Sequence, residues 1–336
     1  MKIREKFQYF LSNLRPKFKM VSGKKLSGDV SFKILTALIA CNVFAVVGLM
    51  LYKIIQESWL SLETYGLGFL WGTTWQPVPP NATMLPSFGA LPPIWGTLVT
   101  SAIALLLGVP VSLGIGLALS EFAPKRFGFF VSFLVELLAA IPSVIYGLWG
   151  IFVLIPFLQH NVYPGLQATL GFLTIFQGTI RGPSVLTGGI VLAIMILPTV
   201  SAISRDVFAA VPRSQREAIV ALGATRWETS KVVMSYARSG VIGAIILGLG
   251  RAVGETMAIT MVIGNSFNMF DSLFNPGYTL SSIIANEFTE ASSPPVYISA
   301  LVECGLVLFV LALVINALAR LIIWRTTKMA AGAEAI

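Results

Sequence analysis

The stretch SGVIGAIILGLGRAVGETMAITMVIG, residues 239–264, is mostly apolar and carries only two charged residues, Arg251 and Glu255. A helix needs roughly 20 apolar residues to cross the hydrocarbon core of a bilayer, so this stretch is long enough. The whole chain shares this character, since 56% of its 336 residues are hydrophobic and only 11% are charged. So few charges do not cover a soluble globule of this size. The sequence therefore predicts an all-α, polytopic membrane protein.

The hydropathy of the chain, with charged residues as boundaries, predicts six transmembrane helices. They are placed at residues 34–52, 96–119, 129–155, 186–208, 239–264 and 297–323. The predicted organisation has four further parts: a basic extension 1–33, an ordered extracytoplasmic loop 57–93 within a transmembrane domain 34–326, a cytoplasmic hairpin 212–238 and a tail 327–336.

The distribution of positive charge predicts that both termini are cytoplasmic. Of the 23 lysines and arginines, nine precede residue 34 and six lie between residues 205 and 238. Cytoplasmic loops of membrane proteins carry such an excess. Residues 161–180 are uncharged and long enough to cross, but a crossing there would turn the later basic loops outward. We therefore expect a re-entrant or interfacial segment.

Prolines interrupt three of the predicted spans, namely Pro110, Pro142 and Pro198. Each proline removes a helix hydrogen bond. A simple packing kink and a mechanical hinge are equally compatible with this pattern.

The sequence predicts no metal site. Cys41 and Cys304 each lie in an apolar run without CxxC spacing, and His160 has no neighbours of ligand type. We expect two free thiols and a loop histidine without a catalytic role.

The segment PRSQREAIVALGATRWETSKVV, residues 212–233, predicts two short helices joined by a glycine turn. Ser214 followed by Glu217, and Thr225 followed by Glu228, both fit the capping box that starts a helix. Gly223 lies where the first helix ends, since glycine readily adopts the left-handed conformation of that position.

One face of the first predicted helix combines small and apolar residues, Ala218, Ala221 and Leu222. Three arginines surround it: Arg213, Arg216 and Arg226. Such a face fits a groove on a partner protein. A helical linker on the membrane surface fits the pattern equally well. A DNA-binding helix-turn-helix is disfavoured, because membrane spans follow closely on both sides.

Glu217-Ala218 with Gly223 six residues after the glutamate resembles the EAA loop of ATP-binding-cassette importer permeases. The resemblance implies that Glu217, Ala218, Ala221, Leu222 and Gly223 couple the chain to a partner ATPase. The sequence departs from the motif at Ile219, which replaces its third residue, and lacks the usual leucine-proline ending near residues 234–236.

Further motifs resemble the PstC-type phosphate importer permeases from about residue 60 to about residue 326. They are GLGRAVGETMA (248–258), FLWGTTWQP (69–77), FGALPPIWGTLVTS (88–101), ELLAAIPSVIYGLWG (136–150) and LTGGIVLAIMILP (186–198). The resemblance implies the architecture of a type I ABC importer permease in the bacterial cytoplasmic membrane, with phosphate as substrate.

The same resemblance implies the partners. They are a related PstA-type permease, two copies of a PstB-type ATPase and an extracytoplasmic phosphate-binding protein of the PstS type. ATP and Mg are expected at the ATPase, because this chain has no G-x-x-x-x-G-K-[ST] motif and is expected to bind no cofactor or nucleic acid itself.

Arg251 and Glu255 are the predicted pathway residues. Their spacing of four would place them on one face of a continuous helix, where they can pair. An arginine in a membrane must face a polar cavity or a partner, and its guanidinium matches phosphate oxygens. A purely structural ion pair is the alternative. Arg181, the sole basic residue of its outer segment, is predicted either to help admit the anion or to be a solvated loop charge.

Two alternative functions compete with phosphate import. A permease for another oxyanion such as sulfate would show similar chemistry. An ion-coupled secondary transporter would explain the buried charges without using the 212–238 hairpin.

Overall fold

The computed structural model describes residues 27–79, 86–291 and 294–333. Most of the predicted extension 1–33 and the last residues of the predicted tail, 334–336, lie outside them. The helices are α1 (Ser27–Tyr65), α2 (Gly68–Trp71), α3 (Leu91–Leu117), α4 (Lys125–Ala139), α5 (Ser143–Trp149), α6 (Ile155–Phe157), α7 (Tyr163–Leu170), α8 (Val185–Ala209), α9 (Arg213–Ala221), α10 (Arg226–Tyr236), α11 (Arg238–Gly254), α12 (Met257–Val262), α13 (Leu280–Glu287) and α14 (Pro295–Ala333).

Short elements join some of these helices. The strands β1 (Trp75–Gln76) and β2 (Ser87–Phe88) pair antiparallel, with Trp75 opposite Phe88. In the described residues, π-helical turns occupy Ala118–Phe122, Gly150–Leu154 and Leu158–Val162, and a 3-10 turn occupies Thr174–Phe176. The first π-helical turn extends α3, and the other two join α5, α6 and α7 into one helical path.

The chain forms two compact units, Met1–Tyr52 and Lys53–Ile336. Of the first unit the structure describes residues 27–52, which belong to α1. Nearly all its described side chains from Val30 to Tyr52 are exposed although most are apolar. An apolar helix with such exposure is suited to lipid rather than to water.

The prediction of an all-α polytopic membrane protein is confirmed. Five helical segments in the described residues are long and apolar enough to cross a membrane, and a bent pair, α10 with α11, raises the number to as many as six. The five are Val30–Tyr65, Leu91–Phe122, Ser143–Leu170, Val185–Ala209 and Pro295–Leu321.

The third predicted span, 129–155, is wrong. Helix α4 ends at Ala139, and Pro142 stands in extended conformation, with ψ of 139°, immediately before α5. Proline lacks the N–H that would continue the helix and disfavours helical backbone in the residue before it. The apolar segment that can cross begins at Ser143 and runs to Leu170. Residues 161–170 therefore complete this span. For these residues the prediction of a separate re-entrant or interfacial segment over 161–180 is wrong.

The other two interrupting prolines behave differently. Pro110 lies inside α3 and Pro198 lies inside α8, and both helices continue through them. Of the three prolines, only Pro142 breaks a predicted span.

Helix α8 lies at the centre of the core, since 67% of its most apolar 18-residue stretch is buried. Its residues Val191, Met195 and Ile196 are almost fully buried together with Ile259 and Ile263 from the α12 region. Glycine lets α3 approach α8 closely, since a Cβ added at Gly108 would lie 3.0 Å from the Ala193 carbonyl oxygen of α8. This packing holds α3, α8 and α12 in fixed positions.

A second core cluster holds the β1–β2 hairpin against the beginning of α14. Phe88 and Tyr297 stack with ring centroids 5.4 Å apart, and Trp75 contacts Phe88 edge-on at 4.8 Å. The segment predicted as a loop over 57–93 is thus helical up to Tyr65 and then ordered by aromatic contacts. Residues 80–85 lie outside the described chain.

Candidate functional site

Arg251 lies in the last turn of α11, and its side chain reaches α8. Its Nη1 donates a hydrogen bond to Thr199 Oγ1 at 2.9 Å. Both residues are partly exposed rather than buried. Thr199 directly follows Pro198 on the face of α8 that meets α11. The two helices thus present a guanidinium and a hydroxyl side by side.

The helix that carries Arg251 stops before Glu255, so the predicted pairing of Arg251 with Glu255 on one helical face is wrong. Glu255 is extended, with ψ of 128°, between α11 and α12. The ion pairs among the described residues do not include these two side chains. The spacing argument required a continuous helix, and the break after Gly254 removes Glu255 from the face of Arg251.

Glu255 instead stabilises the junction between α11 and α12. Its Oε1 accepts a hydrogen bond from the Ala258 N–H at 3.1 Å, which satisfies a free donor at the start of α12. Its carbonyl oxygen accepts a hydrogen bond from Ser281 Oγ of α13 at 2.6 Å. A carboxylate is favourable at this end of a helix because the backbone dipoles leave it positive. Glu255 therefore fixes how α11, α12 and α13 meet.

The surface next to Arg251 is open. A Cβ added at Gly250 or Gly254 would meet nothing within 4 Å, and both glycines are exposed. These glycines therefore do not serve close packing among the residues that the structure describes. The Tyr146 hydroxyl of α5 donates to the Leu138 carbonyl oxygen at 2.9 Å and lies near enough to Arg251 to interact with its charge.

Sequence reasoning missed Thr199 and Tyr146. Tyr146 lies within the motif ELLAAIPSVIYGLWG, and Thr199 directly follows the motif LTGGIVLAIMILP. A polar residue following a proline within an apolar span is a usable signal, because the side chain there must find a polar partner.

Arg181 lies at a different place. It is exposed and lines a cavity of about 190 Å³ with Ser266, Asn268 and Asn275. The described part of the chain offers it no ion pair. A single cation among amides and hydroxyls can receive an anion.

The hairpin formed by α9 and α10 has the predicted glycine turn, since Gly223 has a φ of +84°. The second capping box is confirmed: Glu228 N–H donates to Thr225 Oγ1 at 3.3 Å, and Thr225 N–H donates to Glu228 Oε2 at 2.7 Å. These hydrogen bonds lower the pKa of the Glu228 carboxyl below its ordinary value.

The first predicted capping box is wrong. Helix α9 begins at Arg213 after Pro212, whose side chain cannot cap it, so Ser214 already lies inside the first turn. The predicted coupling residues are nevertheless all exposed: Glu217, Ala218, Ala221, Leu222 and Gly223. The Leu222 side chain is 88% exposed. The described residues thus leave the apolar face of α9 uncovered.

Arg216 does not surround that face, contrary to the prediction. Its side chain turns inward and forms an ion pair with Glu121, with Nη2 2.9 Å from Oε1. The same guanidinium donates to the carbonyl oxygens of Phe208 and Val211 at the end of α8. Because its apolar stem is partly buried and its N–H groups bond to the interior, this arginine anchors the hairpin.

Two acids in the apolar segments had no predicted role. Glu136 of α4 pairs with Arg205 of α8, with Oε1 3.1 Å from Nη2. Glu303 of α14 is only 3% exposed, and its Oε2 has no hydrogen-bond partner among the described residues.

Comparison with known proteins gives a family and close relatives. The family model described as "Binding-protein-dependent transport system inner membrane component" matches residues 108–328. Three relatives carry the name "Phosphate transport system permease protein PstC". That of Pasteurella multocida strain Pm70 is 44% identical over 305 residues, covering 89% of this chain and 93% of that protein. That of Haemophilus influenzae is 45% identical over 303 residues, covering 89% and 93%. That of Mesorhizobium japonicum is 44% identical over 302 residues, covering 88% and 90%.

Solved structures share the fold at low sequence identity. A chain of the inward-facing MetNI methionine ABC transporter has a TM-score of 0.51 at 17% identity, covering 70% of this chain and 94% of that chain. A chain of a bacterial ABC transporter involved in the import of alginate has a TM-score of 0.53 at 17% identity, covering 90% and 99%. The described helices therefore have the arrangement of an ABC importer subunit.

Proposed function

Because this chain belongs to the family of binding-protein-dependent transport system inner membrane components, we propose that it is the permease subunit of an ATP-driven phosphate importer. It is a multi-pass membrane transporter component rather than an enzyme. The relatives that share about 44% of its sequence over nearly its whole length are named for phosphate transport, which supports phosphate over sulfate.

One observation carries the proposed mechanism: a partly exposed Arg251, hydrogen-bonded to Thr199, lies between two exposed glycines at the end of a broken membrane helix. About 13 residues separate it from the start of α11, which at 1.5 Å per residue is about 20 Å, well inside a hydrocarbon core of about 30 Å. A guanidinium stays charged there and binds the oxygens of an anion as bidentate partners. Phosphate would pass this point while held briefly by Arg251.

Glu255 supports this pathway through the backbone in our proposal. Glu255 caps α12 and accepts a hydrogen bond from Ser281, which fixes the geometry of the junction between α11 and α12. Among the described residues, Arg251 is thus left without an ion pair. An arginine neutralised by a carboxylate would bind an anion less well.

The energy source in this proposal is a separate ATPase that docks on α9. The exposed apolar face of Ala218, Ala221 and Leu222 fits a groove on such a partner, and Arg216 ties α9 to the ends of α3 and α8. Closure of the ATPase on ATP and Mg would move α9 and, through it, α8, which carries Thr199 beside Arg251. A secondary transporter would have no use for this linkage.

The remaining partners come from the same proposal. They are a PstA-type permease that completes the pathway, two PstB-type ATPase copies and a PstS-type phosphate-binding protein outside the membrane. Both termini then lie in the cytoplasm. The cavity beside Arg181 faces the binding protein, and the charge of Arg181 would help admit the anion.

The test is phosphate uptake by proteoliposomes that contain the complete complex. Arg251→Gln is expected to abolish ATP-dependent uptake while the subunits still copurify, and Arg126→Gln, at an exposed position of α4, is expected to leave it unchanged. Excess sulfate is expected not to compete. Uptake at the normal rate by Arg251→Gln, or loss of the assembled complex together with uptake, would contradict the proposed pathway. Uptake driven by an ion gradient without ATP would establish the secondary transporter instead.

A further inference from the structure

The hydroxyl of Thr199 has an unused hydrogen next to Arg251. Its oxygen accepts the hydrogen bond from Arg251 Nη1 at 2.9 Å, and it has no other partner among the described residues. Since the oxygen is the acceptor in this bond, the hydroxyl hydrogen remains free to be donated.

Other helical hydroxyls of this protein are satisfied differently. Ser201 Oγ donates to the Pro198 carbonyl oxygen at 3.1 Å, and Thr100 Oγ1 donates to the Gly96 carbonyl oxygen at 2.8 Å. Ser112 Oγ likewise donates to the Gly108 carbonyl oxygen at 2.7 Å. Serine and threonine in membrane helices usually bond to their own backbone in this way. Thr199 departs from that pattern and directs its hydroxyl to the guanidinium instead.

The guanidinium is similarly unsatisfied. It carries five N–H donors, and Thr199 is its only hydrogen-bond acceptor in the described part of the chain. Unpaired donors on a charged group inside a membrane are costly. The free donors of Arg251 and the free hydroxyl of Thr199 lie on neighbouring helices, and Gly250 and Gly254, which flank Arg251 in α11, are exposed.

We propose that Thr199 is a second anion ligand that completes the Arg251 site for a tetrahedral oxyanion. Arg251 donates to oxygens of the anion while Thr199 donates to a further oxygen and holds the guanidinium in place. The inference rests on the proposed function, and it adds a substrate contact on α8, the helix to which Arg216 connects the hairpin.

The test compares variants that differ in the hydroxyl alone. Thr199→Val keeps the shape of the side chain without the hydroxyl, and Thr199→Ser keeps the hydroxyl. Thr199→Ala is a second variant without it, and Thr100→Val is a control because that hydroxyl bonds to its own helix. Initial rates of ATP-dependent phosphate uptake are measured in proteoliposomes with the full complex and saturating phosphate-loaded binding protein, after copurification has been verified.

Loss of a hydrogen bond to a charged group predicts a drop in uptake of about tenfold or more for Thr199→Val and Thr199→Ala. Thr199→Ser is expected to retain at least about half of the wild-type rate. Normal uptake by Thr199→Val would overturn the inference, as would equal loss in the serine variant. Failure of both hydroxyl-free variants to assemble would also overturn it, because the hydroxyl would then serve folding.

Arg251→Gln, measured alongside, separates this inference from the proposed function. If Arg251→Gln abolishes uptake and Thr199→Val does not, only the role of Thr199 fails. If Arg251→Gln transports normally, the proposed pathway itself is wrong.

Discussion

Arg216 and Glu121 join the hairpin to the end of the second membrane span by a two-point contact, with Nη2 2.9 Å from Oε1 and Nε 3.2 Å from Oε2. Glu121 belongs to the π-helical turn after α3, and the same arginine reaches the Phe208 carbonyl oxygen of α8 at 2.7 Å. The two side chains are 22% and 10% exposed, so water screens this pair less than a surface ion pair. One side chain thus connects α9 with two core helices.

Replacing this arginine should disconnect ATP hydrolysis from transport. We expect Arg216→Ala to lower phosphate uptake by about tenfold or more in the reconstituted complex, while ATP hydrolysis per complex falls much less. The physical reason is that a partly buried, bidentate and fourfold hydrogen-bonded guanidinium is lost, which typically costs about 3–5 kcal/mol. Arg126→Ala, at an exposed position of α4 outside the hairpin, is the control. Equal reductions in both activities would show that Arg216 is needed for docking rather than transmission.

The exposed face of α9 gives a prediction about assembly. Leu222→Asp is expected to prevent copurification of the ATPase, because the apolar side chain is 88% exposed and a buried unpaired carboxylate would be costly at the interface. The permease itself should remain as stable as the wild type in detergent. Val220→Asp, on the opposite side of the helix and 57% exposed, is the matched control. Retention of the ATPase by Leu222→Asp would exclude this face as the docking surface.

The capping box of α10 predicts a dependence on pH. The Thr225 backbone and hydroxyl groups lower the pKa of Glu228 in the folded protein, so the box stabilises the helix start fully above the ordinary glutamate pKa of about 4.3. That contribution is lost as the pH falls through the lowered pKa. Hydrogen exchange of the first α10 amides, corrected for intrinsic rates, should therefore increase at acidic pH. Glu228→Ala should show the faster exchange already at neutral pH; identical protection in both proteins would refute the role of the box.

Close packing of α3 predicts a difference between two glycines. A Cβ at Gly96 would collide with the Tyr278 carbonyl oxygen, whereas a Cβ at Gly243 would meet nothing within 4 Å. Gly96→Ala should destabilise the protein by about 1–3 kcal/mol, because backbone must move. Gly243→Ala should be neutral or stabilising by up to about 1 kcal/mol, since alanine is the better helix former. Thermal unfolding in detergent measures both, and equal Tm values would contradict the close approach of the backbones.

The general architecture could be predicted because it depends on local properties. Three features are set by residues that are neighbours in sequence: the length of the apolar runs, the glycine that takes the left-handed conformation at a helix end, and the threonine three residues before a glutamate. Such patterns predict both helix α8 and the capping box formed by Thr225 and Glu228. The family resemblance came from motifs whose order along the chain is itself specific.

The details of the site could not be predicted, because they depend on where helices stop and which helices meet. The run 239–264 has no proline, and nothing within it distinguishes a continuous span from α11 followed by α12. The break is stabilised by Ser281, which lies in a distant part of the sequence. Arg216 was misplaced for the same reason, since its partner Glu121 lies 95 positions earlier.

Because Glu255 does not neutralise Arg251, the proposed pathway would also repel monovalent cations. A sodium or potassium ion that comes within about 4 Å of a fixed guanidinium is repelled by about 4 kcal/mol at an effective dielectric constant of about 20, which lowers its occupancy on the order of a thousandfold. The side chain that we propose as the phosphate contact would thus make the route a poor leak for monovalent cations. In the proposed pathway, this repulsion would let the permease open and close repeatedly without discharging the ion gradients across the membrane.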